Sequence, residues 1–348
     1  MERKQKTMPK QKKLLVAMAV ACLASLAVIF GAVFDCTAMP GQSFRGSIPA
    51  LTAADIALQE RLQSHVAALT QIGPRSHLVP GSMEKSVKYI SECMKQCGGK
   101  VEVLPFTYDG KTFANIELTF PGRSETLRSE IIVVGAHYDS VSHTVGADDN
   151  ASGVAALLVL AEKCRSANPG RTLRFVAFPN EEFYFRTDGM GSFQYAKLCS
   201  ERKEQVIAML SLETIGCFSD LPGSQRCPAV LSGLYPDRGN FLAFVSTAQA
   251  RPLVKQFAGL FRENSSLPSE GLAAPEFVSG VDWSDHLPFL QLGYPALMIT
   301  DTAPYRYPHY HSTEDTIDKL DFQRMTLAVK GIEAAMLKLS GTNGRDLR

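Results

Sequence analysis

The feature that most constrains the fold is an uninterrupted apolar run that ends in a histidine. Residues 131–136 read Ile-Ile-Val-Val-Gly-Ala, and His137 and Asp139 follow them. A solid apolar run of this length is typical of a parallel strand that is covered on both faces. His137 and Asp139 are two positions apart on extended backbone, so we expect their side chains to point to the same side. Asp139 is then placed to hold the histidine ring through its second nitrogen.

Apolar strands and helical segments alternate after residue 131, and this pattern predicts an α/β fold. It implies a doubly wound, mostly parallel central sheet flanked by helical layers. Ligands of such sheets bind outside the carboxyl ends of the strands. The predicted strands are 101–106 and 113–120 (a hairpin), 131–136, 172–178, 206–212 and 295–299; the predicted helices are 53–69, 83–97, 151–165, 192–198, 241–258 and 322–339; residues 262–284 are predicted to be a loop.

A second acidic motif lies between the first parallel strand and the next helix. Residues 146–153 read Gly-Ala-Asp-Asp-Asn-Ala-Ser-Gly. An isolated aspartate at this place would serve to cap the helix, and Asp148 or Asp149 could do so. Two consecutive acids followed by Asn150 exceed what capping requires, whereas a bound metal would explain the local negative charge.

Three acidic side chains follow later strands. Glu181 and Glu182 come after strand 172–178, where adjacent side chains point in different directions. One carboxylate could bind a metal while the other acts as a general base, and a solvated acidic loop is the alternative. Glu213 comes directly after strand 206–212. It is a candidate metal ligand, and an ordinary acid at a strand end is the alternative.

The last candidate imidazole is His311. Tyr310 beside it could donate to a developing oxyanion or simply pack. The remaining candidates, His143, His286 and His309, are left outside the metal site, because a single histidine is usually not a ligand. Imidazoles and carboxylates gathered at strand ends are the groups from which metal-hydrolase sites are built.

These motifs resemble those of the M28 metallopeptidases, the zinc aminopeptidase family. The resemblance runs from about residue 133 to residue 320. It implies a zinc-peptidase/phosphorylase-like doubly wound fold, a peptide substrate and two zinc ions per chain. The segments that carry the resemblance are residues 135–140, 146–153, 180–182, 284–286 and 310–312.

The resemblance also assigns a role to each candidate residue. Glu181 would be the general base, and Asp139 would orient His137. Many members of the family have Asp where Glu213 stands, so the longer side chain of Glu213 departs from the common pattern. The assigned metal ligands are His137 and Glu213 for one ion, Glu182 and His311 for the other, and Asp149 as the bridge between them.

An aminopeptidase that removes N-terminal residues is the function that this resemblance favours. Three alternatives share the fold: a carboxypeptidase or dipeptidase, a glutaminyl cyclase with one zinc ion, and a non-catalytic, receptor-like relative. A complete set of five ligand positions favours hydrolysis with two metals over the cyclase and the receptor.

The first 34 residues differ in character from the rest. Residues 1–13 carry six basic residues and one acidic residue, and residues 14–34 carry no charge. As a helix these 21 residues would extend about 31 Å, enough to cross a bilayer. Because a basic flank stays in the cytoplasm, we expect either an uncleaved signal anchor or a cleaved secretory signal. Both would export the catalytic domain, as a membrane-anchored or a secreted or periplasmic protein.

We therefore divide the chain into a signal or anchor segment, 1–34, a linker, 35–52, and one α/β domain, 53–341. Without the first segment, 30 basic and 34 acidic residues remain, a formal net charge of −4. This balance indicates no nucleic-acid surface. The oligomeric state stays open.

The cysteines are compatible with an exported protein. Cys217 and Cys227 flank a loop rich in Gly, Pro and Ser, and we predict that they pair. Cys93 and Cys97 lie one helical turn apart, where two buried thiols are expected rather than a strained local bridge.

Overall fold

The structure is a computed structural model that describes residues 10–342. The chain divides into two compact units, with the boundary after Ala38. The described part of the first unit is one helix, α1, Lys10–Thr37. No helix within residues 10–342 is long and apolar enough to cross a membrane, so the predicted membrane-spanning helix has no support in the structure. The basic residues Arg3, Lys4 and Lys6 lie outside the described residues.

A mixed sheet forms the centre of the second unit. Its strands are β1 (Lys100–Tyr108), β2 (Lys111–Phe120), β3 (Glu130–His137), β4 (Thr172–Phe178), β5 (Gln205–Glu213), β6 (Leu242–Thr247), β7 (Ser269–Ala274) and β8 (Ala296–Thr300). Their order is β1-β2-β4-β3-β5-β8-β6-β7. The four strands β4, β3, β5 and β8 are parallel, whereas β2 joins β4, and β6 joins β8, in antiparallel fashion. The α/β prediction is confirmed, and the antiparallel strands make the sheet mixed.

Helices cover both faces of this sheet. They are α2 (Ala53–Gln71), α3 (Ser82–Gln96), α4 (Gly153–Lys163), α5 (Gly191–Glu201), α6 (Arg251–Asn264), α7 (His286–Gln291), α8 (Ala303–Arg306) and α9 (Phe322–Leu339). Ile132 and Val134 of β3 enter an apolar core shared with α4 and α9, whereas Ile131 and Val133 enter a second core shared with α5 and α7. This two-sided burial is the reason why the β3 sequence is apolar without alternation.

The functional edge of the sheet lies where β3, β4 and β5 end. The helix after β3 packs on one face, and the helix after β4 packs on the other. The connecting loops therefore diverge, and a crevice opens between them at the carboxyl ends of the strands. His137 is the last residue of β3, and Glu213 is the last residue of β5.

Two predicted segments were wrong. The predicted helix 241–258 is strand β6 followed by α6, which begins at Arg251 with Pro252 in its first turn. The predicted loop 262–284 contains β7. A short apolar run cannot be separated from a buried helix by periodicity alone, and here parallel pairing with β7 and antiparallel pairing with β8 decide that Leu242–Thr247 is a strand.

The predicted disulfide was also wrong. Cys217 and Cys227 are free thiols. The Cys217 side chain is buried against Ala303 and Tyr307. The Cys227 side chain instead lines a cavity. Cys93 and Cys97 are free thiols as predicted, and the Cys97 Sγ lies 3.4 Å from the backbone oxygen of Cys93. Of the predicted linker, 35–52, residues 35–38 belong to the first unit and residues 39–52 to the second.

Candidate metal centre

Three of the candidate ligands meet at the ends of β3 and β5. The Nε2 atom of His137 lies 3.3 Å from Oδ1 of Asp149 and 3.3 Å from Oε2 of Glu213. All three residues are buried. One ligand atom from each can be chosen so that the three lie within 4.8 Å of one another. This first group joins a residue of β3, one of β5 and one of the loop between β3 and α4.

A second group forms around the other oxygen of Asp149. The Nε2 atom of His311 lies 3.1 Å from Oδ2 of Asp149 and 3.1 Å from Oε2 of Glu182. The His311 side chain is 40% exposed, so this group lies at the open side of the crevice. Asp149 thus belongs to both groups, and each of its oxygens faces a different histidine.

The spacing of these atoms fits divalent zinc. Zinc bonds to imidazole nitrogen and carboxylate oxygen are about 2.0–2.2 Å long, so ligand atoms at the corners of a zinc tetrahedron lie roughly 3.4 Å apart. The separations of 3.1–3.3 Å between the histidine nitrogens and the carboxylate oxygens are close to that value. Two imidazoles and three carboxylates are also a chemically suitable donor set for two zinc ions.

The electrostatics of the cluster favour a cation as well. Burial, and then the charge of Asp149, raise the pKa of Glu182 to about 8. Burial would lower the pKa of His137, but Glu213, Asp139 and Asp149 outweigh it and raise the pKa well above its usual value. The cluster therefore gathers more negative charge than its imidazoles neutralise, and a bound divalent ion would remove the conflict.

Asp139 connects the first strand to the glutamate pair. Its Oδ1 lies 3.4 Å from Nδ1 of His137, as expected for a carboxylate that orients a metal-binding imidazole. Its two oxygens also accept hydrogen bonds of 3.1 Å from the backbone amides of Glu181 and Glu182. The second role was not visible in the sequence, because the two amides lie about forty residues away.

Glu181 lies beside the ligands but belongs to neither group. Its side chain is buried. Burial raises the pKa of Glu181 well above its usual value, and the charges of Glu213, Glu182 and Asp285 add to this effect. Glu182 contacts His311 and belongs to a metal group, whereas Glu181 belongs to neither group, so the pair can supply a ligand and a neighbouring base.

The loop that carries Asp149 is fixed by a residue that sequence reasoning missed. Asp315 accepts hydrogen bonds from the backbone amides of Asp148, at 2.8 Å, and Asp149, at 3.1 Å. Tyr307 donates its hydroxyl to the same carboxylate at 3.0 Å. Neither Asp148 nor Asp149 caps α4, because the N-cap position is Ser152.

Tyr310, His143 and His286 belong to neither metal group. The Tyr310 ring stacks on His311 with 3.8 Å between ring centroids. Nε2 of His143 lies 3.1 Å from the backbone oxygen of His311, and Nε2 of His286 lies 2.9 Å from that of Val281. Within residues 10–342, His137 and His311 are the histidines that enter the metal groups.

Left-handed backbone conformations surround the centre. Asn180, Thr214 and His311 have φ angles of 67°, 47° and 56°. Asn180 precedes the glutamate pair, and Thr214 follows Glu213. Such conformations are uncommon for residues with a side chain and concentrate at functional sites.

An apolar cavity adjoins the centre, with Glu213 and Tyr310 among its lining residues. One wall is the sheet surface of β6, β7 and β8, and the loops around Cys227 and Trp283 close it from the other side. The apolar side chains on its walls include Leu231, Phe241, Ala243, Val245, Leu272 and Met298. A side chain that entered this cavity would meet mainly hydrocarbon.

Known proteins resemble this chain in sequence and in fold. The chain is 38% identical over 284 residues to the uncharacterized protein YfbL of Escherichia coli (strain K12), covering 78% of this chain and 86% of YfbL. It is 32% identical over 260 residues to a probable leucine aminopeptidase of Trichophyton verrucosum (strain HKI 0517), covering 70% of this chain and 61% of that relative. The zinc aminopeptidase BSAP from Bacillus subtilis shares the fold, with a TM-score of 0.62, 16% identity, and coverage of 81% of this chain and 94% of that one.

A family model decides the classification. The model of peptidase family M28 matches residues 115–336, which is more than half of the chain and includes every residue of both metal groups. The chain is therefore a metallopeptidase that belongs to peptidase family M28.

Proposed function

We propose that the chain is an aminopeptidase that uses two zinc ions. The observation that carries this proposal is the shared position of Asp149, whose two oxygens each face a different histidine. His137, Asp149 and Glu213 would hold one ion, and Asp149, Glu182 and His311 the other. Two zinc ions held this way supply an activated water and a polarised scissile carbonyl.

The protein's own groups perform the proton transfers. Glu181 is buried beside the ligands and takes the proton of the attacking water. It then returns that proton to the nitrogen of the departing amine. Asp139 fixes the backbone of Glu181 and Glu182, because its two oxygens accept hydrogen bonds from both of their amides. Tyr310, next to His311, supplies a hydroxyl for the developing oxyanion.

The apolar cavity supports a preference for substrates with large apolar N-terminal residues. It adjoins Glu213 and Tyr310, so it can receive the side chain next to the bond that is cut. The relative named a probable leucine aminopeptidase is consistent with such a preference. Carboxypeptidase activity would instead require a cationic group for the substrate carboxylate; Arg226 lines this cavity, and the peptide panel below separates the two activities.

A panel of matched peptides tests this function. Leucyl and phenylalanyl arylamides with a free amine should be hydrolysed, and their N-acetylated forms should not. The purified full-length chain should contain two zinc ions, and a chelator should abolish activity until zinc is returned. Release of C-terminal residues from N-blocked peptides would indicate a carboxypeptidase. Cyclisation of N-terminal glutamine with a single bound zinc would indicate a cyclase, and binding of zinc without any turnover would indicate a receptor.

We also propose that the chain is exported. The support is the basic segment 1–13 followed by the uncharged segment 14–34. Cell fractionation, with N-terminal sequencing of the mature protein, tests export and distinguishes a cleaved signal from a retained segment. Recovery of the intact chain in the cytoplasm would contradict the proposal.

A further inference from the structure

Arg75 is a completely buried arginine beside the metal centre. It lies in the turn between α2 and α3, and none of its surface is exposed. Buried arginines usually face a carboxylate in a direct ion pair. The guanidinium of Arg75 instead donates to three backbone carbonyl groups, which are those of Tyr138, Val145 and Gly146.

These carbonyl groups belong to the two segments that carry ligands. Nε of Arg75 donates to the oxygen of Tyr138 at 2.8 Å, directly after His137. Nη2 donates to the oxygen of Gly146 at 2.9 Å, three residues before Asp149. One planar group therefore ties the end of β3 to the loop that presents the shared carboxylate.

The backbone of Arg75 strengthens the same connection. Its amide donates to Oγ of Ser140 at 3.0 Å, and its carbonyl accepts from the amide of Ser140 at 2.9 Å. Gly146 has a φ of 54°, and a Cβ atom there would lie 2.1 Å from the backbone oxygen of Asp149 and 3.0 Å from Nη2 of Arg75. The loop can therefore approach the guanidinium this closely only with glycine at position 146.

The charge of Arg75 also suits its surroundings. Burial lowers the pKa of Arg75 to about 10, and the carboxylates of Asp139, Asp315, Asp149 and Glu182 counteract this decrease. The guanidinium thus stays charged at neutral pH and offsets part of the negative charge of the cluster.

We propose that Arg75 is a positioning residue that sets the separation of His137 and Asp149 and thereby the affinity of the centre for metal. This inference rests on the proposed two-zinc function. Arg75 contacts no ligand side chain, so it acts through the backbone of the segments it joins. Lysine would keep the charge, but it lacks the planar fork of donors that reaches three carbonyl oxygens in two segments.

The test compares Arg75→Met and Arg75→Lys with a matched control, Arg174→Met. Arg174 is also largely buried, but it lies on β4 and pairs with Glu204. Zinc affinity of the full-length chain is measured by competition with a chromophoric chelator. The absorption spectrum of the cobalt-loaded protein reports the ligand geometry, and denaturant unfolding of the metal-free protein reports stability.

We expect Arg75→Met to weaken zinc binding about 10- to 100-fold, with a changed cobalt spectrum. Arg75→Lys should show a smaller loss in the same direction. Arg174→Met should lower the unfolding midpoint and leave zinc affinity and the cobalt spectrum unchanged.

Wild-type zinc affinity in Arg75→Met, with only a stability loss like that of Arg174→Met, would overturn the inference. If Arg75→Met does not fold, Arg75→Lys decides, and unchanged affinity in that variant would overturn it equally. A wild-type chain that does not bind two zinc ions would instead refute the proposed function, and it would refute the proposed role of Arg75 as well.

Discussion

Ser284 donates a hydrogen bond to Glu213, with 2.7 Å between its Oγ and Oε2 of the carboxylate. Ser211, on the same strand as Glu213, lies 3.0 Å from the Ser284 hydroxyl. Glu213 has a longer side chain than Asp149, the other acid of its metal group. A residue 71 positions away in the chain therefore holds the carboxylate of Glu213. This contact restricts the extra rotatable bond that distinguishes Glu from Asp at this position.

Removing this hydrogen bond should weaken one metal site and spare the other. In Ser284→Ala we expect the ion held by His137, Asp149 and Glu213 to bind about 10-fold more weakly, because a ligand loses its orienting partner. Stepwise zinc titration against a chelator measures the two affinities. Ser246→Ala is the control, since its buried hydroxyl donates to Ala296 on a strand end remote from the centre. Equal weakening of both sites would contradict the prediction.

Glu181→Gln should separate metal binding from turnover. The amide cannot accept a proton from water, so kcat should fall about 100- to 10,000-fold. Zinc content should remain that of the wild type, because Glu181 belongs to neither metal group. Steady-state assays with a free-amine arylamide and metal analysis of the same sample check both points. Glu201→Gln, at the end of α5, is the surface control. A variant that keeps more than a tenth of the wild-type kcat would refute the assignment.

Filling the cavity should change which N-terminal residues are accepted. Ala243 is a buried residue of β6 on the cavity wall, and a phenylalanine there would occupy space that the substrate side chain needs. In Ala243→Phe we expect kcat/KM for leucyl and phenylalanyl substrates to fall by about 10- to 100-fold, with alanyl substrates much less affected. Val103→Phe, on the exposed edge strand β1, should alter neither. An equal loss for all substrates would contradict the prediction, because it would show that the N-terminal side chain of the substrate does not bind in this cavity.

The stability of the metal-free protein should depend on the protonation of His286. This ring is fully buried, and its Nε2 donates to Val281. Burial lowers its pKa from 6.5 to about 4, although the Val281 carbonyl and the charge of Asp282 act in the opposite direction. Between these pH values the unfolded chain binds a proton that the folded chain does not. This contribution to stability is therefore present above about pH 6.5 and is lost as the pH falls towards about 4, by roughly 3 kcal/mol in total.

Denaturant unfolding in the presence of a chelator measures this dependence without a contribution from metal release. His286→Gln keeps a donor for Val281 but cannot titrate in this range. Its stability should fall less steeply than that of the wild type between about pH 6.5 and 4. Parallel curves for the two proteins would show that His286 does not carry the effect.

Local sequence patterns predicted much of the fold. The two errors, at β6 and β7, have a common cause, because pairing with distant strands decides both. β3, β4 and β5 have long apolar runs, and these strands lie where the sequence predicts them. The sequence predicts the start of a helix where β6 lies, because six apolar and small residues support either structure. Pro252 was the available signal for a helix that begins near Arg251, since proline is favoured in a first helical turn. β7 has small residues and little apolar character, and its pairing with β6 makes it a strand.

The same distinction between local patterns and distant contacts applies to the metal centre. Four ligand candidates, His137, Asp149, Glu182 and Glu213, could be named because each one ends or follows a strand or precedes a helix, and the sequence determines where strands end. His311 lies in a loop after α8, and the motif that carries the family resemblance was its signal. The residues that orient them, Arg75, Asp315 and Ser284, have no local signal, because they reach the ligands across long separations in the chain. Residue type and strand position thus determined by themselves which groups could bind metal. The shared role of Asp149 was implied by the family resemblance and not by residue type or strand position. Tertiary packing directs its two oxygens towards different histidines, because those directions depend on contacts that no local pattern specifies.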